Sequence, residues 1–298
     1  MRWIKKPFIY AIIFGLVLMS FNVYVLLDAF VISHAYSKVT TSSTSSTTAT
    51  NVVQTETSYS DDEISINLQT IEKYDTTIYI ADVQLSSSEY LKTALANDTY
   101  GLNVTETTSS QASRKNAILA INGDYYGANK SGYVIKNGVV YRDSVRSDSD
   151  YDDLVIYQDG HFETINESEI SADELVNNGV TQLFAFGPTL VNNGEVVVSE
   201  NDEVAKAMSS NPRTAIGIID DLHYIIVVAD GRSSASTGLS LYQLATVMQD
   251  YDCQLAYNLD GGGSSTLYFN GQVINNPTTN GNSFSERAVS DIVYIGYE

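Results

Sequence analysis

The hydrophobic and polar positions of this chain divide it into three stretches. Residues 7–27 are apolar almost throughout, interrupted weakly by Ser20 and Asn22. Residues 37–60 are dominated by serine and threonine, and residues 40–48 contain nothing else. From Asp61 onward, short apolar runs alternate with turn residues. About 20 residues at roughly 1.5 Å each cross the hydrocarbon layer, so the first stretch predicts a transmembrane helix over 7–27. Arg2, Lys5 and Lys6 precede it, which predicts a cytoplasmic end at 1–6 and the remainder outside. Ser33-His34-Ala35 has the small-x-small shape of a signal-peptidase site, and cleavage near Ala35 would give a secreted protein. The apolar run is longer than an ordinary signal core, which favours an uncleaved signal anchor in the cell membrane. A serine–threonine run buries too little to offset its chain entropy, so residues 28–60 are expected to be an extracellular stalk. One domain is then expected over 61–298.

Within the domain a period of two prevails. Ile64, Ile66 and Leu68 alternate with polar residues, and residues 77–83 form a second strand candidate. The unbroken run Ala117-Ile118-Leu119-Ala120-Ile121 predicts a strand buried on both faces. Asn137-Gly138, Asp159-Gly160, Asn193-Gly194 and Asn270-Gly271 each lie between apolar residues and predict hairpins. A helical period follows Ser240: Leu241, Leu244, Ala245, Met248 and Tyr251 share a face, and Gln243 completes a capping box. A second helix is expected over 88–96. The fold class is therefore mixed α/β (α+β), a strand-rich single domain around a buried mixed sheet with flanking helices.

Charge narrows the partners. The formal net charge is -20 with a pI near 4.3. Such a surface repels a phosphate backbone, which excludes nucleic acid, and it repels anionic lipid as well. Cys253 is the sole cysteine, so an intrachain disulfide and a cysteine zinc site are both excluded. Imidazole comes only from His34, His161 and His223, which argues against a Ser-His-Asp triad or a histidine metal centre.

The candidate chemistry concentrates at strand ends that turn through glycine. Beyond Lys206 the basic residues are Arg213, Arg232 and Arg287, without a lysine. Planar guanidinium forks suit carboxylate or phosphate, although structural ion pairs would use the same residues. Asn258-Leu259-Asp260-Gly261-Gly262-Gly263-Ser264-Ser265 delivers a carboxylate at a strand end, followed by glycines that leave room for a ligand. It is not a nucleotide phosphate loop, because Thr266-Leu267-Tyr268-Phe269 reads as a strand and no lysine follows. Asp230-Gly231-Arg232 ends another strand. Asn122, Asp124 and the tyrosines Tyr125 and Tyr126 cluster after the buried run, a set that suits a sugar ring.

Taken together, INGDYYG at Ile121, NPRTAIG at Asn211, ADGR at Ala229, GLSLYQLA at Gly238, NLDGGGSSTLY at Asn258 and ERAVSDIV at Glu286 resemble the phosphodiester glycosidase family. Its bacterial members are relatives of the uncovering enzyme that removes N-acetylglucosamine from phosphomannose, and are often labelled exopolysaccharide biosynthesis proteins. The resemblance covers about 115–297. It implies hydrolysis of a sugar-1-phosphate diester on the glycosidic side, with a glycan or sugar phosphodiester as partner. Phosphate is a good leaving group, so anion stabilisation outweighs general-acid help.

On that footing Asp260, Glu286 and Asp230 are the expected catalytic carboxylates, with Asp260 as base or nucleophile at C1 and Glu286 the second carboxylate. Arg213 and Arg287 are expected to hold the phosphate with the amides of Gly261, Gly262 and Gly263. Asn122, Asp124, Asp230, Arg232 and Ser264 would orient the sugar and these groups. No cofactor is required by this scheme. Two alternatives use the same residues: a non-catalytic surface module binding anionic polysaccharide, and a metal-dependent exopolysaccharide-processing enzyme in which Asp124, Asp230 and Asp260 ligate Ca²⁺ or Mg²⁺.

Overall fold

Strands that are apolar on both faces need cover on both sides, and the computed structural model provides it in four layers. It describes residues 7–39, 49–146, 152–202 and 210–298. The long sheet has nine strands, ordered Glu195–Val196, Thr189–Asn192, Leu255–Asn258, Arg213–Asp220, His223–Ala229, Thr76–Leu85, Ile64–Lys73, Ser58–Ser60 and Val53–Gln54. The short sheet has five, ordered Gln272–Val273, Leu267–Phe269, Leu119–Asn122, Asp291–Ile295 and Leu91–Leu95.

Alternation along His223–Ala229 shows how the layers stack. Tyr224, Ile226 and Val228 join Leu119, Ile121, Phe269, Val293 and Ile295 of the short sheet in one core. Ile225, Val227 and Ala229 turn the other way, onto Leu241, Leu244, Ala245 and Met248 of the helix Leu241–Asp250. On the outer face of the short sheet, Ala120, Ile292 and Tyr294 pack with Ala112 of the helix Thr108–Arg114. Each fully buried large aliphatic side chain contributes about 1.5–3 kcal/mol, so two cores back to back supply the main stabilisation.

Local chemistry sets the boundaries. The helix Leu241–Asp250 starts at the reciprocal Ser240–Gln243 capping box. All four expected hairpins form. At Asn137-Gly138 both turn residues are left-handed, φ 51° and 74°, which the two-residue hairpin requires.

Three expectations need correction. Residues 88–96 are not a helix: one 3₁₀ turn, Ser88–Tyr90, leads into the edge strand Leu91–Leu95, which is fixed by pairing with Asp291–Ile295. Long-range pairing overrides a weak local preference here. The sheet expected to be mixed is antiparallel at every pairing among the described residues, both where a hairpin joins neighbours, as between Arg213–Asp220 and His223–Ala229, and where a long crossover does, as between Thr189–Asn192 and Leu255–Asn258.

The stretch 28–60 is also not simply a stalk. His34–Lys38 pairs with Thr99–Leu102, and Val53–Gln54 and Ser58–Ser60 extend the long sheet, with Tyr59 buried in the core. These segments draw their order from backbone pairing and one tyrosine, so their polarity does not exclude them from the fold. The all-Ser/Thr run at 40–48 and the cytoplasmic end at 1–6 lie outside the described residues. The first helix, Pro7–Phe30, runs three residues past the expected Leu27, and Phe8–Phe30 is long and apolar enough to cross a membrane.

Candidate active site

The two sheets meet at Asp260. Strand Leu255–Asn258 lies between Thr189–Asn192 and Arg213–Asp220, and the chain leaves it with Leu259 N–H donating to Thr214 O at 2.9 Å. Asp260 then bridges to the short sheet: its N–H donates to Gly123 O at 3.3 Å, and its carbonyl accepts from Asn122 Nδ2 at 2.6 Å. Asn122 Oδ1 accepts from Thr214 Oγ1 and Thr266 N–H. Asn122 is thus a buried clip between the sheets rather than a sugar ligand, and it fixes the backbone that carries Asp260.

The glycines serve close approach. A Cβ on Gly261 would lie 2.9 Å from Pro212 O, one on Gly262 2.9 Å from Arg232 Nη2, and one on Gly263 2.3 Å from Thr279 Oγ1. Gly262 is left-handed at φ 62° and gives its amide to Pro212 O at 2.8 Å. That amide is committed inside the protein, so the expected row of phosphate-binding amides is not fully presented.

Around the turn, Asp260, Ser264 and Arg287 form one hydrogen-bonded cluster. Ser264 Oγ donates to Asp260 Oδ2 at 2.6 Å and accepts from Arg287 Nε at 2.9 Å. One Arg287 Nη reaches Asp260 Oδ2 at 3.0 Å and Gly261 O at 3.0 Å. Burial pushes the Asp260 carboxyl up, while Arg287 and the Ser264 hydrogen bond pull it down. The Arg287 side chain is 43% exposed, so the cluster is open on one side. Asp260, Ser264 and Arg287 line a cavity of about 230 Å³ together with Asp124, Tyr125 and Ser290. Tyr125 sets its ring edge-on to Phe186 at 6.1 Å.

Beneath this cavity lies a group that sequence reasoning missed. Lys136 is 2% exposed and sits 2.7 Å from Asp291 Oδ2 and 3.4 Å from Asp124 Oδ2. Burial alone would lower the lysine, but the two carboxylates more than offset this and hold it above its usual value. Asp124 also accepts from the amides of Tyr126 and Ala185. A Cβ on Gly123 would lie 2.5 Å from the Asp291 carboxylate, so the glycine of the INGD segment lets the chain pass over it. The signal for Lys136 was its position: two residues after Val134 on a hairpin strand, it shares that residue's buried face.

Burial pushes Asp291 up to about 7 against the opposing pull of Lys136, and Asp124 adds to the rise. The native state therefore binds the proton more tightly than the unfolded chain does, and this group's contribution to stability falls as pH rises from about 4 to 7. Urea titrations at pH 5 and pH 8 check the sign. Asp291→Asn should flatten the difference, and an unchanged difference would refute it.

Other expected site residues stand elsewhere. Asp230 is buried and accepts from Asn275 Nδ2, Asn276 N–H and Asn276 Nδ2, so it holds that loop and is no catalytic carboxylate by position. Glu286 accepts from Ser109 N–H at 2.9 Å and from the Ser109 hydroxyl, anchoring the first turn of the helix Thr108–Arg114, where a carboxylate is favoured. Asp124 takes its place as the second carboxylate lining the cavity. Arg213 is 3% exposed and gives Nε to Leu239 O, so it belongs to the interior instead of clamping phosphate.

Arg232 is better placed. It is left-handed at φ 57°, gives Nε and Nη2 to Asn211 Oδ1 and Nη1 to Thr279 O, and lies against Gly262. Burial and the Arg287 guanidinium both lower it, so two cations face each other across the glycine turn. With Asp230 turned away, Asp124, Asp230 and Asp260 do not form a ligand trio. Among the described residues no group of three or more His, Cys, Asp or Glu is arranged to hold a metal ion.

Comparison with known proteins gives a consistent picture. The family model for phosphodiester glycosidase matches residues 115–296. The SPbeta prophage-derived uncharacterized protein YomE of Bacillus subtilis (strain 168) is 33% identical over 201 residues, 66% of this chain and 31% of that protein. The N-acetylglucosamine-1-phosphodiester alpha-N-acetylglucosaminidase of Mus musculus is 31% identical over 129 residues, 39% of this chain and 25% of the mouse protein. The chain thus spans about a third or less of the length of these curated relatives. The solved catalytic domain of the zebrafish N-acetylglucosamine-1-phosphodiester alpha-N-acetylglucosaminidase, auto-inhibited by its pro-peptide, has a TM-score of 0.62 at 21% identity. The match covers 90% of this chain and 88% of that one, a likeness of fold.

Proposed function

The chain belongs to the phosphodiester glycosidase family, and we propose that it hydrolyses a sugar-1-phosphate diester at the glycosidic C1–O bond in an extracellular glycan or glycopolymer. The observation that carries this reading is the Asp260–Ser264–Arg287 cluster, open on a cavity that Asp124 and Tyr125 also line.

Cleavage at C1 builds positive charge on the sugar and negative charge on the departing phosphate. The Arg287 and Arg232 guanidinia flank the glycine turn, and their mutual repulsion is relieved when an anion sits between them. Asp260 serves as the carboxylate at C1, acting as base toward the attacking water, with Ser264 and Arg287 fixing its orientation. Asp124 is the second carboxylate of the cavity, held by Lys136. The Tyr125 ring, 45% exposed, offers a face to the sugar. The helix Pro7–Phe30 serves as the anchor that keeps the domain at the outer surface of the cell membrane.

A defined sugar phosphodiester, with both products followed by NMR, tests the reading. The wild type should release the sugar and a phosphomonoester. Arg287→Lys keeps a charge but loses the fork, so kcat/KM should fall about 10²-fold. Near-normal turnover would remove Arg287 from the anion site. Binding without product would mean a carbohydrate-binding module instead.

A further inference from the structure

The end of the apolar helix is built into the rim of the catalytic cavity. Asn103 lines that cavity, and its Nδ2 donates to Ala29 O at 3.3 Å and Ile32 O at 3.1 Å, while its carbonyl accepts from Ser33 Oγ at 2.7 Å. Asp28 Oδ1 and His34 Nε2 approach to 3.3 Å across the same junction. His34–Lys38 then pairs at once with Thr99–Leu102, so there is no slack between helix and domain. Phe30, Val31 and Ile32 continue the apolar surface up to the rim, with exposures of 74%, 64% and 39%.

From these contacts we infer that the cavity opens at the bilayer surface and that the substrate is a membrane-inserted glycosyl phosphodiester, a sugar-1-phosphate esterified to a lipid alcohol. This deepens the hydrolase reading and rests on it. The 24-residue helix is about 36 Å long, slightly more than the roughly 30 Å hydrocarbon layer, so its last turn and the Asn103 junction lie at the headgroup level.

A second cavity of about 330 Å³ adjoins the first through Asn103. It is lined by Asp28, Ala29, Tyr36, Leu102, Lys130 and Arg142, among others. It lies between Asn103 and the end of the helix, and it suits the lipid-proximal part of the aglycone. Lys130 and Arg142 put positive charge on this side of a chain whose net charge is -20, where a phosphodiester is drawn in. Tethering makes the encounter two-dimensional and raises the effective concentration of a substrate in the same membrane. In the reaction, water adds to C1, the C1–O bond breaks, its electron pair leaves with the phosphate as a lipid phosphomonoester, and Asp260 takes the water's proton and passes it to solvent.

The test uses the full chain in zwitterionic phospholipid vesicles. A hexadecyl N-acetylglucosaminyl phosphodiester in the vesicles is compared with its water-soluble ethyl counterpart. The wild type should cleave the hexadecyl ester at least about tenfold more efficiently. A flexible Gly/Ser insert of about ten residues between Ile32 and Ser33 should abolish that advantage, read as the ratio of the hexadecyl to the ethyl ester's efficiency in the same protein.

A readout independent of activity is lipid quenching of a fluorophore at Lys130→Cys, compared with Asp221→Cys. Asp221 follows the far end of the strand Arg213–Asp220, which itself spans about 23 Å away from the glycine turn. Cys253, 1% exposed, does not compete for label. Spin-labelled lipid should quench the Lys130 position selectively. Equal quenching, or equal efficiency on the two esters, overturns the inference while leaving the hydrolase reading intact. Failure to cleave either ester sinks both.

Discussion

Asp260→Asn should lower turnover of a glycosyl phosphodiester by about 10³-fold or more while the domain stays folded. The substitution is nearly isosteric, so Ser264 Oγ and the Arg287 fork keep an acceptor where they now meet the carboxylate. What disappears is the negative charge and the basicity. The backbone of residue 260 is held by Asn122 and Gly123 whichever side chain it bears. A thermal midpoint close to the wild type's, with turnover lost, separates chemistry from folding. Turnover within a few-fold of the wild type would remove Asp260 from the reaction and move attention to Asp124.

Lys136→Met should cost about 3–5 kcal/mol of stability near pH 8, because it leaves Asp124 and Asp291 buried without their cation. The cost should shrink toward pH 5. Burial already places Asp291 at about 7, and losing the lysine raises it further, so at lower pH the carboxyl takes a proton and sheds its charge. Adding Asp291→Asn should recover part of the loss at pH 8. Urea unfolding of the three proteins at both pH values decides it. A penalty independent of pH would mean that lost packing against the Phe184 ring, 4.1 Å from Lys136 Nζ, dominates instead.

The layers of this fold were legible wherever short-range patterns carry them. Asn-Gly pairs mark hairpins because they accept left-handed backbone, and the Ser240–Gln243 capping box marks a helix start through contacts three residues apart. Leu91–Leu95 and Val53–Gln54 were not legible, because their pairing partners lie far away or in a polar hairpin. The same division runs through the site. Asp260, Ser264 and Arg287 stood out, since glycines and strand ends announce exposed polar groups. The roles of Asp230, Glu286 and Arg213 were misread for a common reason. Each is fixed by a partner that carries no signal in sequence: the Asn275–Asn276 pair, the Ser109 amide and the Leu239 carbonyl. Lys136 was not singled out, because a lysine beside an Asn-Gly turn carries no sign of burial, and the strand Val134–Lys136 is buried throughout.

The bond that breaks is the point on which the mechanism stands. Hydrolysis of a defined glycosyl phosphodiester in ¹⁸O-labelled water, with ³¹P spectroscopy of the phosphomonoester formed, reads it. Attack at C1 sends the labelled oxygen to the sugar, and the phosphorus resonance shows no isotope shift. An isotope-shifted phosphomonoester, with the label on phosphorus, would mean P–O cleavage and would contradict the assignment of Asp260 to C1.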